Sequence, residues 1–214
     1  MRKYMVLNAK GGCGKSTLAT NIAAYFASQW EDANVTLADF DPQQSSLDWL
    51  ESRPEERDPI QGLNAAKEGL KHLDRKTDFL VIDAPARMHG PDLTAMLRQT
   101  ETVVIPVLPS TIDIKACKHY IEELNKNSRV QNKQVKIGVV ANRCRENYSI
   151  YDELYDFLDR LKMPFLTTLR DAQNYVRAYT RGLGIYELPP YLAWPDWEQW
   201  EPLTKWLESK RSQP

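Results

Sequence analysis

The sequence predicts a single α/β domain over residues 1–214: a mostly parallel, twisted sheet with helices on both faces. Three observations carry this. Short apolar segments recur along the chain at Tyr4–Leu7, Val35–Ala38, Phe79–Ile82, Val103–Val107, Val135–Ala141 and Phe165–Thr168. Helical patterns alternate with them, and several of the segments run straight into a carboxylate or an asparagine. Strands that are apolar at successive positions are buried on both faces, as in a parallel sheet covered by crossover helices. At 214 residues the chain has the length of one ordinary domain with a substantial core.

The first strand leads through Asn8-Ala9-Lys10-Gly11-Gly12-Cys13-Gly14-Lys15-Ser16-Thr17 into a helix over Leu18–Phe26. Glycines let successive backbone N–H groups curl round a phosphate, and the helix N-terminus adds partial positive charge. Gly11, Gly12, Cys13, Gly14 and Thr17 belong to that cradle, Lys15 would reach the β- and γ-phosphates, and the Ser16 hydroxyl would ligate Mg2+. The general pattern G-x-x-x-x-G-K-S/T is not met in full, because Ala9 stands where its first glycine belongs. The chain reads instead K-G-G-x-G-K-S, with a second lysine, Lys10, opening the loop. This is a nucleotide site, and the fold class is that of a P-loop NTPase.

The loop resembles the deviant Walker A box of the ParA/MinD family of ATPases. The resemblance implies ATP and Mg2+ as cofactors and slow, partner-stimulated hydrolysis to ADP and phosphate. It also implies a homodimer closed over ATP, in which Lys10 crosses to the other protomer's nucleotide. A cation supplied in this way makes ATP the glue of the dimer and resembles an arginine finger in stabilising charge during phosphoryl transfer.

The second strand ends on Asp39-Phe40-Asp41-Pro42-Gln43, at the sheet edge that faces the ligand crevice. Carboxylates two apart on a strand point the same way, so Asp39 and Asp41 are both expected to approach Mg2+ and its waters. D-x-D-P-Q matches the ParA-like pattern in full; by resemblance Asp41 helps position the attacking water and Asp39 supports the metal's hydration shell. A helix is expected over Gln44–Ser52, then a proline-bounded charged loop. Phe79–Asp83 reads as Walker B, with Asp83 bonding a Mg2+ water, although Ala84-Pro85-Ala86 departs from the T-P-P of ParA relatives. Further helices are expected over Ile112–Asn125 and Ile150–Leu161. By resemblance Asn142, closing a strand, reads the adenine edge, and relatives bring a backbone loop over the base where Arg170 and Asp171 stand.

Net charge is only −1, but it is unevenly spread. Residues 31–58 hold nine acids against two arginines, a face that should repel DNA. Residues 129–145 hold five cations and no acid, and Lys162, Arg170, Arg177 and Arg181 follow. ParA relatives bind DNA nonspecifically through their C-terminal region, so the resemblance nominates Arg143, Arg145, Arg170, Arg177, Arg181, Lys205 and Lys210. No base-reading module precedes the loop, which leaves phosphate contacts without sequence readout.

The tail from Leu192 to Arg211 carries Trp194, Trp197, Trp200 and Trp206, and Pro195 and Pro202 suggest two short helical pieces. Packing on the sheet is the favoured role, ahead of a partner or dimer surface or a membrane-surface helix. There is no apolar run long enough to span a bilayer, and Met1-Arg2-Lys3 is not read as a signal peptide. Cys13, Cys117 and Cys144 lack metal spacing and read as reduced thiols, with Cys13 an ordinary small residue rather than a redox sensor. The expectation is a cytoplasmic, nucleoid-associated ParA-type ATPase that partitions or positions a DNA or protein cargo, with a ParB-like or cargo-adaptor partner. The rivals are a MinD-like membrane-associated ATPase, disfavoured by the mixed charge of the tail, and a metabolic P-loop ATP-dependent enzyme.

Overall fold

The computed structural model describes residues 1–214 except 146–149 and 162, so the cation expected at Lys162 lies outside the described residues. Its sheet has seven strands, all parallel: β1 (Arg2–Val6), β2 (Val35–Asp39), β3 (Ile60–Asn64), β4 (Phe79–Asp83), β5 (Thr102–Val107), β6 (Lys136–Cys144) and β7 (Phe165–Arg170). Their order is β3-β2-β4-β1-β5-β6-β7, so β1 and the loop that follows it stand at the centre. The helices are α1 (Lys15–Gln29), α2 (Ser45–Glu51), α3 (Ala65–Glu68), α4 (Gly90–Leu97), α5 (Thr111–Leu124), α6 (Ser128–Gln131), α7 (Ile150–Asp159), α8 (Gln173–Tyr179) and α9 (Pro190–Glu208).

The two faces of the sheet carry separate cores. Alternate strand residues such as Tyr4, Val6, Leu37 and Val81 meet α1, α2, α8 and α9 on one face. Met5, Leu7, Leu80 and Ile82 meet α4, α5 and α7 on the other. Period-two alternation between two apolar layers explains why these strands read as unbroken apolar runs.

Two elements differ from the sequence reading. The edge strand β3, Ile60-Gln61-Gly62-Leu63-Asn64, lacks an apolar run because only Ile60 and Leu63 are buried. Gly62 leaves room there for α2: a Cβ would stand 2.8 Å from Leu50 Cδ2, which would have to shift. The tail is one helix, α9, and not two pieces. Pro195 and Pro202 are seven apart, hence on one face, and that face is exposed. On that face the carbonyls that lose an N–H partner are on the solvent side of the helix, which lowers the cost of the missing bonds.

The opposite face of α9 buries Trp200, Leu203, Trp206 and Leu207, while Trp194 is 56% exposed. Asp196, fully buried, accepts from Arg170 Nε (2.6 Å), Arg170 Nη2 (3.0 Å) and Asn174 Nδ2 (2.7 Å). Gln199 receives the Arg170 N–H at Oε1 (2.8 Å) and the Thr167 hydroxyl at its carbonyl (2.5 Å). Arg170 is therefore the joint between β7 and α9, which corrects its assignment to DNA: its fork is held by a buried carboxylate. Asp196→Ala should destabilise the fold by about 2–4 kcal/mol, below the cost of breaking a fully buried pair because Arg170 keeps some water access. Urea unfolding followed by tryptophan fluorescence measures this, and a loss under about 0.5 kcal/mol, the level of an ordinary surface substitution, would refute the joint.

Candidate nucleotide-binding site

Three side chains and two left-handed glycines shape the loop between β1 and α1. Asn8, buried, donates from Nδ2 to the Pro106 carbonyl of β5 (2.6 Å) and accepts the Lys10 N–H at Oδ1 (3.1 Å). The Cys13 thiol and Lys15 Nζ both donate to the Lys10 carbonyl, at 3.3 and 3.1 Å. Burial raises Cys13 above the ordinary thiol value, so it is a packed thiol and not a reactive thiolate. Gly12 and Gly14 have φ of +75° and +94°. At Gly14 a Cβ would stand 2.2 Å from Asn142 Nδ2, so both the conformation and the space demand glycine.

Asn142 donates from that Nδ2 to the Cys13 carbonyl (2.8 Å). The expected base reader is thus also a brace for the phosphate loop. One of its two amide N–H groups is committed, which leaves the second N–H and the Oδ1 acceptor for a ligand.

A cavity of about 950 Å³ opens at the C-terminal edge of the sheet. Its walls are the Gly11–Thr17 loop, Asp41 and Pro42 after β2, Arg87 after β4, Asn142 and Arg143 of β6, Asp171 after β7, and Tyr175 and Tyr179 of α8. Tyr179 Oη donates to the Ser45 carbonyl of α2 (2.7 Å), and Tyr175 Oη accepts from Trp200 Nε1 (2.9 Å), so both rings are anchored. Sequence reading missed this ring-lined wall; the signal was Tyr175 and Tyr179 four apart after a strand end.

Beneath the cavity, Asp39 and Asp83 end adjacent strands in register. Asp39 is fully buried and both its oxygens are engaged: Oδ1 accepts from Asp41 N–H (2.8 Å), and Oδ2 from Ser46 N–H (3.1 Å) and Oγ (2.7 Å). This corrects the expectation that Asp39 faces the metal's waters beside Asp41. The chain turns after Asp39, and its carboxylate is spent on fixing that turn. Asp83 is different: buried, with neither oxygen meeting a donor at hydrogen-bonding geometry. Burial pushes it up to about 7; the nearby Ser16 hydroxyl opposes the rise and the Asp39 charge adds to it. An orphaned buried carboxylate beside a second one and a serine hydroxyl fits a hard, oxygen-liganded divalent cation such as Mg2+.

The cations nominated for DNA do not share one surface. Arg143 Nε (3.4 Å) and Arg145 Nη2 (2.6 Å) both pair with Asp171, whose own burial would raise it but whose guanidinium neighbours hold it below the ordinary carboxylate value. Arg177 is exposed on α8. Arg181 precedes Gly182, whose carbonyl accepts from Arg53 Nη1 (3.1 Å), so it stands beside the acidic stretch that should repel DNA. Lys205 pairs with Glu201 (2.6 Å), and Lys210 belongs to the turn whose Ser212 carbonyl receives the Thr102 hydroxyl at the start of β5. Both lysines therefore lie toward the sheet edge opposite the cavity.

A glycine-rich loop between a central parallel strand and a helix, with a buried carboxylate at the next strand end, defines a P-loop nucleotide-binding domain. The chain belongs to the CobQ/CobB/MinD/ParA nucleotide-binding-domain family, whose sequence model matches residues 4–185. It is 29% identical over 196 residues to the maintenance of carboxysome distribution protein A of Halothiobacillus neapolitanus, covering 86% of each chain. In fold it is similar to an ATP complex of an aspartate-to-alanine variant of McdA from Cyanothece (TM-score 0.71, 18% identity, 95% and 96% of the two chains). It is likewise similar to a putative plasmid partition protein of Borrelia burgdorferi bound to AMPPNP (TM-score 0.72, 18% identity, 96% and 99%).

The orphaned Asp83 makes a pH prediction. In the unfolded chain it titrates near 3.8 and in the folded chain near 7, so the folded state holds the extra proton between them. Its contribution is full below the unfolded value and is lost as pH rises through 7. Metal-free Asp83→Asn should therefore melt above metal-free wild type at pH 8, by about 2–4 °C per kcal/mol recovered, with the gap closing toward pH 5. Parallel melting curves against pH for the two proteins would sink this account.

Proposed function

We propose that the chain is a ParA-type ATPase that binds ATP with Mg2+, dimerises over it, and positions a DNA or protein cargo on nucleoid DNA. The observation that carries the reading is the division of labour between two lysines in one loop. Lys15 is buried and turned inward onto the Lys10 carbonyl, where a β- or γ-phosphate would replace it as partner. Lys10 is turned outward, its side chain 40% exposed and 3.8 Å from Asp113 Oδ1 of α5. So loose a surface pair contributes little and can be exchanged for a phosphate of a second protomer. A bound Mg2+ supplies charge neutralisation for the phosphates; Ser16 and Asp83 are the residues to hold it. Asp41 has its N–H fixed by Asp39 and its Oδ1 fixed by the Gln43 N–H (3.0 Å), which sets it to orient an attacking water. The named relatives maintain carboxysome distribution or are classed with plasmid partition, which supports a positioning role and leaves either cargo class open.

For DNA, the reading rests on exposed Arg177 of α8 together with Arg143 and Arg145, whose shared partner Asp171 lines the cavity; a two-fold dimer would double their phosphate contacts. Hydrolysis would be stimulated by a cargo-bound adaptor. A membrane-surface anchor is disfavoured by the mixed charge of the tail and by Trp200 and Trp206, which are turned into the core.

Lys15→Ala should abolish ATP binding, whereas Lys10→Ala should still bind ATP and fail to dimerise. Light scattering with ATP and with ADP tests this, and a wild type that stays monomeric with ATP under hydrolysis-blocked conditions defeats the sandwich dimer. Duplex binding should require ATP, ignore sequence and fall steeply with salt, about −0.9 in log–log slope for each phosphate contacted. Arg177→Glu should weaken it without affecting the dimer. Arg170→Glu is not a usable probe, because it sets a second carboxylate against buried Asp196. Fluorescence anisotropy on two unrelated duplexes decides, and equal binding with ADP is the adverse result.

A further inference from the structure

We infer that Arg87 is a catalytic residue of this site, a guanidinium that engages the terminal phosphate of the bound nucleotide as the bond to it breaks. The inference rests on the nucleotide reading above and adds a residue that the two-lysine loop does not supply.

The segment after β4 runs alongside the phosphate loop. Val6 and Asp83 are partners in register, Ala84 N–H donates to the Val6 carbonyl (3.3 Å), and Arg87 N–H donates to the Ala9 carbonyl (3.0 Å). That last bond sets Arg87 next to Lys10, four residues beyond the orphaned Asp83. Arg87 also lines the cavity. Of the cavity's three cations, Lys15 is held on the Lys10 carbonyl and Arg143 lies beside Asp171. Arg87 has no carboxylate within 4.0 Å among the described residues, and its side chain donates no hydrogen bond there. A guanidinium at the wall of an anion site, beside a second cation and without an acid of its own, is matched to a phosphate.

The backbone adds an independent observation. Arg87 sits at φ +62°, a conformation that glycine adopts freely and a long side chain adopts rarely. Four other described non-glycine residues share this conformation, Arg143 of the same cavity among them; glycine would satisfy the turn and the bond to Ala9 equally well, and use of the side chain gives the strain at Arg87 a reason. In hydrolysis the water oxygen bonds to the γ-phosphorus as the bond to the β–γ bridging oxygen breaks. The electron pair leaves on ADP, and the water's protons end on phosphate or in solvent. Charge grows on the bridging and γ-oxygens, and a planar fork spans two of them.

Arg87→Gly is the decisive variant, since it removes the cation and relaxes the backbone; its melting temperature should equal or exceed that of wild type. Three readouts on the full chain follow: affinity for a fluorescent ATP analogue, trapping of ADP with fluoroaluminate and Mg2+, and single-cycle phosphate release with and without duplex DNA. The expected result is ATP affinity within about threefold of wild type, no fluoroaluminate trapping, and release slowed by roughly 10²–10³, the size of losing one preorganised donor to the transition state. Free guanidinium ion should restore part of the rate. Trapping and release equal to wild type would overturn the assignment, as would an affinity loss as large as the rate loss, which marks ground-state binding alone. A wild type that neither binds nor hydrolyses ATP would instead defeat the nucleotide reading itself.

Discussion

The site depends on the register in which β2 and β4 run side by side. Asp39 lies opposite Asp83 and Val6 opposite Asp83 on the other flank, so three strand ends converge below the phosphate loop. Two buried carboxylates cannot share that point unless each is compensated. Ser46 and the Asp41 backbone compensate Asp39 by hydrogen bonding, and this same contact draws α2 and the Asp41 turn against the sheet. Asp83 accepts no hydrogen bond and is only partly offset by the nearby Ser16 hydroxyl and Lys15, so it is compensated by a proton or by a cation. A slip of one residue in either strand would send these carboxylates into an apolar layer, so the cores on both faces enforce the chemistry at the edge.

The far side of the sheet is held by a different device. Edge strand β7 is covered by α9, which spends the side chain and carbonyl of Gln199 on β7 and a fully buried Asp196 on Arg170. Covering an edge protects it from pairing with another chain. The same helix anchors α8 through Asn174 and through the Trp200–Tyr175 bond, so the ring-lined wall of the cavity is rigid because the tail is docked. The tail thus acts on the site at second hand.

The parallel sheet, the loop and the order of its motifs were legible because each rests on local pattern: apolar runs, glycines and a lysine-serine pair. What was not legible depends on contacts distant in sequence. Asp39 and Asp41 look equivalent on a strand, yet only the turn after β2, stabilised by Ser46, separates their roles. Arg170 looked like one more exposed cation until Asp196, 26 residues away, claimed its guanidinium. β3 was hidden because an edge strand with two buried positions carries little hydrophobic signal. Arg87 was passed over because a left-handed arginine has no sequence signature.

The fold alone does not separate a positioning ATPase from a metabolic enzyme, since the family description embraces both CobQ/CobB and MinD/ParA. The cavity wall does more. The wall residues contributed by the segment after β7 are Asp171, which is neutralised by two arginines, and Ala172, Tyr175, Val176 and Tyr179, an aromatic and apolar platform. Such a platform suits the face of a purine. The charged groups that remain, Lys10, Lys15, Asp41, Asp83 and Arg87, are gathered where the phosphates would lie. That distribution fits a site built round a nucleotide's phosphates, with the Lys10 side chain facing outward.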